Sequence, residues 1–145
     1  MKIVEIIPSL SKRAGAEVFM INLSKAFSEN NEVFVISLYD GIDSNIKNEL
    51  DDSNIKVLFC AKKVGVDYKC AKTLKKHLDE IKPDVVHMHL NCIVTYFLAY
   101  GFIRPSFNAF LTIHSLIKKD FRFLERFLIR KYSKKSYYLL LAFLI

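Results

Sequence analysis

The hydrophobic positions of this chain form five short β-rich runs that alternate with segments of helical periodicity. The runs occupy residues 2–8, 33–38, 56–60, 84–89 and 109–113, and their cores are near-continuous Ile, Val, Phe and Leu. Strands with this composition are typical of parallel sheets that helices cover on both faces. The alternation therefore predicts an α/β domain assembled from βαβ units around a parallel sheet.

Apolar residues at helical spacing predict helices between these runs. They are Ala16, Phe19, Met20, Leu23 and Phe27 in the first helix, Ala71, Leu74, Leu78 and Ile81 in the second, and Phe121, Leu124, Phe127 and Leu128 in the last. A further helix is expected from residue 92 to about residue 100, with Asn91 as its cap. The stretches 40–44 and 51–54 are interpreted as turns.

The last nine residues, 137–145, are interpreted as an apolar tail that stands where a sixth strand is expected, so that the domain itself covers residues 1–136. Nine residues are too few to cross a bilayer as a helix, which needs about 20. A truncated or frameshifted end is the preferred interpretation. A tail that dips into a membrane is the alternative.

Composition narrows the class of protein. With 145 residues, 52% of them hydrophobic and 26% charged, the chain fits one globular domain and is neither disordered nor of low complexity. Its three cysteines lack metal-finger spacing and are expected to be reduced core thiols. The first apolar run ends at Pro8 and is too short for a signal peptide, which favours a cytoplasmic protein.

The net charge of +7 is concentrated in one segment, residues 118–135, which carries eight basic and two acidic residues. Its basic face is a candidate surface for peripheral contact with anionic lipids; a solvated helix face is the alternative. Nucleic-acid binding is disfavoured because the aromatic residues fall at core spacing. The proposed membrane contacts are Lys118, Lys119, Arg122, Arg126 and Arg130.

Polar residues follow three of the predicted strands, and in an open α/β sheet ligands bind outside these carboxyl ends. The loop after the first strand leads into a helix whose amide groups would attract phosphate. It has neither a dinucleotide fingerprint nor a P-loop. His114 and Ser115 follow the fifth strand, so we expect the three strand ends to form one cleft.

His87 and His89 are two residues apart on the fourth predicted strand, so both side chains should lie on one face. We expect His89 to face the cleft and His87 to be buried and hydrogen-bonded. Zinc is disfavoured because a catalytic zinc needs three protein ligands and no third is apparent from spacing. Nucleophilic catalysis has little support because the chain lacks a GxSxG elbow.

Four motifs in this order resemble the N-terminal domain of family 4 glycosyltransferases. They are Ile3-Val4-Glu5-Ile6-Ile7-Pro8, Ala14-Gly15-Ala16-Glu17, Pro83-Asp84-Val85-Val86-His87-Met88-His89 and Thr112-Ile113-His114-Ser115. The resemblance implies a Rossmann-like, three-layer domain with a parallel sheet of about five or six strands. Such a domain is one half of a GT-B fold.

The resemblance also implies an activity: transfer of a sugar, with retention of configuration and without metal or cofactor, from a nucleotide-sugar co-substrate to a saccharide or lipid-linked acceptor in cell-surface polysaccharide synthesis. His114 matches the catalytic histidine that projects toward the transferred sugar. The loop under the donor phosphates and sugar would be Gly15, Ala16 and Glu17. The acceptor cleft would contain Ser11, Arg13, His89 and Ser115.

Two departures from the family pattern limit this expectation. The loop has Ala14-Gly15 where the family usually has two glycines, and the C-terminal donor-binding domain is absent from the sequence. The fragment is therefore expected to be inactive alone and to need a separate C-terminal half or to self-associate. Two alternatives stay open: a non-catalytic module that docks a partner or the inner face of the plasma membrane, and, ranked last, a nucleotide-binding regulator.

Overall fold

The structure is a computed structural model that describes residues 1–101, 103, 105–114, 127, 128, 130 and 139–143, the last five by their backbone. The strands are β1 (Lys2–Ile7), β2 (Glu32–Ser37), β3 (Lys56–Phe59), β4 (Val85–His89), β5 (Asn108–Ile113) and β6 (Leu139–Phe143). The helices are α1 (Gly15–Ser28), α2 (Ser44–Asp52), α3 (Tyr68–Ile81) and α4 (Ile93–Tyr100).

The described strands form one six-stranded sheet in the order β3-β2-β1-β4-β5-β6, and every neighbouring pair is parallel. The chain winds outward from β1 in one direction, returns to the centre at β4 and continues in the other direction. This doubly wound order confirms the predicted Rossmann-like α/β fold. It also places the point of reversal between β1 and β4.

Alternate residues of the strands supply two separate cores, because successive side chains point to opposite faces of a sheet. Val4 and Ile6 of β1 pack in the core that includes residues of α3 and α4. Ile3 and Ile7 pack in the core that includes residues of α1 and α2. Both faces are therefore covered, which explains why the strands are apolar throughout and gives the domain its three layers.

Helix α2 is not among the elements that the sequence predicts. The side chain of Asp43 accepts hydrogen bonds from the backbone N–H groups of Asn45 and Ile46, at 2.9 and 3.3 Å, and so caps the helix. Only Ile46 and Leu50 of α2 are buried. Two buried positions in nine residues are too few to stand out as a helical pattern. At α4 the cap position belongs to Cys92, so the prediction that Asn91 caps this helix is wrong.

The C-terminal segment requires a second correction. The backbone of Leu139–Phe143 forms β6 and pairs in parallel with β5, from Ala109 opposite Leu139 to Ile113 opposite Phe143. The prediction that an apolar tail replaces the sixth strand is therefore wrong, and β5 is not an edge strand. The idea that the chain is truncated or frameshifted stays a prediction.

Most of the predicted basic helix lies outside the described residues, including Lys118, Lys119, Arg122 and Arg126. Arg130 is described and exposed. Leu128 is buried in the core as its spacing predicts, whereas Phe127 is 47% exposed and does not belong to the buried face. Among the residues that the structure describes, no helix is long and apolar enough to cross a membrane.

Candidate active site

The candidate site begins where the sheet order reverses, between β1 and β4. Open α/β sheets bind ligands in the crevice outside the carboxyl ends of the strands at this point. Glu5 of β1 is directly opposite His87 of β4 in the parallel register. His89, at the end of β4, is opposite Thr112 of β5. Backbone pairing alone therefore gathers polar side chains from three strands.

A buried carboxylate organises this cluster. Glu5 Oε2 is 2.7 Å from His89 Nε2 and 2.9 Å from His87 Nδ1. Glu5 and His89 are both 0% exposed. The other carboxylate oxygen, Oε1, is buried and has no hydrogen-bond partner among the described residues. A buried charge is tolerated only when it is paired or hydrogen-bonded, and the two imidazoles satisfy one oxygen of Glu5.

The hydrogen bonds continue outward from the two imidazoles. His87 Nε2 is 2.7 Å from Thr112 Oγ1, and His89 Nδ1 is 3.0 Å from His114 Nε2. His114 is partly exposed beyond the end of β5. The ring of Phe19, on α1, packs edge-on against His114 at a centroid distance of 5.3 Å. The network thus leads from a buried carboxylate to an imidazole at the surface.

Burial and hydrogen bonding set the charges of this network. Burial would raise the pKa of Glu5, but the hydrogen bonds from His87 and His89 outweigh it, so that the pKa falls below its usual value and the carboxylate is charged. Burial lowers the pKa of His89, against the opposing effect of Glu5. Burial, followed by repulsion from His89 and His87, lowers the pKa of His114 to about 4. His89 and His114 are therefore neutral at pH 7.

The two strand histidines lie on one face, as predicted, with ring centroids 4.2 Å apart. The prediction is wrong for His89, whereas His87 is hydrogen-bonded as predicted but is not fully buried. His89 is fully buried beneath His114 and does not line the cleft as predicted, whereas the side chain of His87 is 13% exposed. The reason is that His114 and Phe19 both cover the carboxyl end of β4. Of the predicted strand-end histidines, only His114 is at the surface.

Glu5 belongs to the candidate site but is not among the site residues that the sequence predicts. One ligand atom from each of Glu5, His87 and His89 lies within 4.8 Å of the others, a set that could hold a metal ion. The third member of this set, the carboxylate of Glu5, is more than 80 residues away in sequence from the two histidines. The sequence feature that could have revealed Glu5 is an acidic residue inside the apolar run of the first strand. The observed separations of 2.7 and 2.9 Å are ordinary hydrogen-bond lengths, so hydrogen bonding accounts for the cluster.

The loop after β1 brings the amino end of α1 to the same edge. Ala14 is the N-cap residue, and its side chain makes no capping hydrogen bond. The amide groups of the first turn are therefore available to an anion. Gly15 is exposed, and a side chain built there would meet nothing within 4 Å. Glu17 is in the first turn, does not cap the helix, and acts on the neighbouring His89 by raising its pKa slightly.

The remaining predicted acceptor residues are not assembled around the histidines. The Ser11 hydroxyl lies 2.8 Å from that of Ser9, within the loop. The Arg13 guanidinium donates a 2.7 Å hydrogen bond to Glu49 on α2, so its charge is already paired. Ser115 lies outside the described residues. The structure thus brings together Glu5, His89 and His114, while the acceptor roles of Ser11, Arg13 and Ser115 stay predictions.

Residues 13–143 match the model of the family described as Glycosyltransferase Family 4. No curated protein sequence matches the chain. The matched residues include α1, both histidine-bearing strand ends and β6, and they begin after β1. The match therefore covers nearly all of the domain.

Among solved structures, the fold is similar to the crystal structure of Anabaena Alr3699/HepE in complex with UDP and glucose, with a TM-score of 0.63 and 16% sequence identity. The alignment covers 96% of this chain and 37% of that protein. At this identity the similarity concerns the fold. The present chain spans little more than a third of the length of the protein it matches.

Proposed function

Because this chain belongs to Glycosyltransferase Family 4, we propose that it is the acceptor-side half of a retaining glycosyltransferase of GT-B fold. The enzyme would transfer a sugar from a nucleotide-sugar to a saccharide or glycolipid acceptor in cell-surface polysaccharide synthesis. The observation that carries the proposal is the convergence of the open amino end of α1 and of His114 at one edge of the sheet, within the segment that matches the family.

The charge at the carboxyl edge of the sheet gives a physical basis for contacts with the nucleotide-sugar. A helix amino end carries a partial positive charge, and the uncapped amides of Gly15 and its neighbours can bind phosphate oxygens. His114 lies against Phe19, four residues further along the same helix. A nucleotide-sugar with its phosphates at the helix end would place its sugar toward His114. This arrangement supports His114 as the residue that contacts the transferred sugar.

A loop on the other half of the same edge supports a lipid-linked acceptor and peripheral contact with a membrane. Between β3 and α3, Val64 is 95% exposed and Val66 is 60% exposed, and Tyr68 at the start of α3 is 72% exposed. Lys63 and Lys69 are exposed beside them. Apolar and basic side chains in one exposed segment are suited to an anionic lipid surface. The cytoplasmic location and a separate C-terminal half belong to the same proposal.

Titration of the chain with UDP-glucose, followed by ¹H–¹⁵N NMR, tests the donor contacts. Half of a binding site should bind weakly, in the millimolar range. We expect the largest shift changes at the amides of residues 15–17 and at the His114 imidazole. His114→Ala should reduce the changes, whereas the control His77→Ala should not, because His77 is on α3 and contacts the carbonyl of Phe59.

The same titration can overturn the proposal. Shift changes confined to other surfaces, or no change at millimolar UDP-glucose, would exclude this edge as a donor contact. A separate titration with vesicles that contain anionic lipid tests the loop. Broadening of Val64 and Val66 resonances supports the membrane contact; unchanged resonances argue against it.

A further inference from the structure

In each hydrogen bond between Glu5 and His114, one atom donates and the other accepts. The charged carboxylate at the buried end determines which. A deprotonated carboxylate can only accept hydrogen bonds, so the His89 Nε2 that lies 2.7 Å from Glu5 must carry a proton. A neutral imidazole has one proton, so Nδ1 of His89 has none. That atom accepts a hydrogen bond from His114 Nε2, at 3.0 Å, and His114 Nε2 must therefore be protonated.

We propose that Glu5, acting through His89, fixes the tautomer of His114, so that His114 presents an unprotonated Nδ1 as a hydrogen-bond acceptor at the carboxyl edge of the sheet. The ligand group that fits this atom is a hydrogen-bond donor, such as a sugar hydroxyl. A carboxylate or phosphate oxygen does not fit, because two acceptors face each other. Glu5 and His89 are positioning residues. The role given to the ligand rests on the proposed function, whereas the tautomer does not.

Two further observations support the assignment. His89 is 0% exposed, and burial disfavours a second, charging proton on its ring, while each of its ring nitrogens already has a hydrogen-bond partner. His87 donates to the same carboxylate oxygen through Nδ1, at 2.9 Å. This second donor keeps Glu5 ionised although the side chain is fully buried. The acceptor character of His114 thus depends on a charge two hydrogen bonds away.

A metal ion bound to Glu5, His87 and His89 would reverse the direction of the His89–His114 hydrogen bond. Metal binding is therefore an alternative that can be tested. If His89 Nε2 bound zinc, the proton of His89 would be on Nδ1 and would be donated to His114 Nε2. His114 would then be protonated at Nδ1 and would act as a donor. The two states therefore differ in the position of one proton on each of two rings.

Long-range ¹H–¹⁵N NMR of the intact 145-residue chain reports these positions directly. In the wild type we expect the proton on Nε2 in both His89 and His114. Glu5→Leu removes the acceptor and should give a mixture of tautomers at His114. Glu5→Gln retains an acceptor oxygen and should restore the single tautomer. His77→Ala is the matched control and should leave the His114 tautomer unchanged, since His77 is on α3 and contacts the carbonyl of Phe59.

Three results would overturn the assignment: a proton on Nδ1 of His114 in the wild type, a single unchanged tautomer in a folded Glu5→Leu variant, or a wild-type protein in which one equivalent of zinc is bound and His89 Nε2 is its ligand. A second measurement tests the ligand group. On addition of UDP-glucose, the unprotonated His114 Nδ1 resonance should move toward the position of a hydrogen-bonded nitrogen. If it does not move while the tautomers are as expected, the proposed function fails and the tautomer assignment stands.

Discussion

The two faces of the β1–β4 pair are made by alternate residues of the same strands, yet they are held together differently. One face is aliphatic and fully buried, and its members are Val4, Ile6, Val86 and Met88. The other carries the polar cluster, Glu5, His87 and His89. Buried ionic clusters seldom add stability over apolar packing. The aliphatic side chains of both faces therefore maintain the fold, whereas the polar cluster is expected to add little to its stability.

The largest effect is expected on the apolar face. Met88 is 0% exposed and packs in the core beneath α3 and α4. Met88→Ala leaves a cavity there and should lower the free energy of unfolding by about 3 kcal/mol. Urea denaturation measures the loss. A loss below about 1 kcal/mol would mean that this face can collapse around the deletion and is not the packed core described above.

A smaller loss is expected when the polar face is broken. Glu5→Leu removes the acceptor of two imidazoles and should cost about 2 kcal/mol, because both N–H groups lose their partner and that of the fully buried His89 is out of reach of water. The matched control is the triple variant Glu5→Leu, His87→Leu, His89→Phe, which replaces the whole cluster by apolar groups. We expect its stability to return to within about 1 kcal/mol of the wild type. If the triple variant is the less stable of the two, the polar face also maintains the fold.

Acidification should weaken the hydrogen-bond network at its outer end, His114. The pKa of His114 is lowered to about 4 from 6.5, so below pH 6.5 the unfolded chain takes up protons that the folded chain does not. The contribution of His114 to the free energy of unfolding is then complete above pH 6.5, and it is lost as the pH decreases toward 4. Between about pH 7 and 5 we expect a loss of about 1 kcal/mol, since solvent screens the partly exposed ring. Urea midpoints of wild type and His114→Phe test this, and an equal pH dependence in both would contradict it.

The smallest effect is expected far from both faces. Lys47 and Asp51 form an exposed pair on α2 at 2.9 Å, one turn apart. Lys47→Ala should change the free energy of unfolding by less than about 0.5 kcal/mol, because water and salt screen such pairs. Thermal denaturation at low and high salt measures this. A loss comparable to that of Glu5→Leu would show that charge, and not burial, distinguishes the regions.

The strands were predictable because each is rich in apolar residues and is bounded by polar ones, and β1 to β5 agree with their predicted positions to within one residue. The failures occurred where the local pattern is ambiguous. Residues 137–145 are as apolar as any strand, but an apolar run of this length does not by itself distinguish a strand from a tail. Helix α2 buries only two side chains and has a polar surface elsewhere, so its pattern resembles a turn-rich connection.

The site was predictable in part, and the limit is distance along the chain. Alternation correctly placed His87 and His89 on one face, and strand ends correctly suggested that His114 lies near them. Glu5 could not be assigned, because its partners are on another strand and local spacing does not specify which strands become neighbours. The exposure of His89 depends on cover from Phe19 and His114, which belong to other elements.

The central pairing of β1 with β4 has a consequence for the order of folding. The Glu5–His89 contact joins residues 84 positions apart. Closing a loop of that length costs roughly 4 kcal/mol of chain entropy before any contact compensates for it, and parallel pairing over long separations is slow. The β1–β2 and β4–β5 units, which are closer in sequence, can form earlier. The network of Glu5, His89 and His114 would then be assembled only when these units finally dock. A variant that delays docking would lose the site while keeping most of its secondary structure.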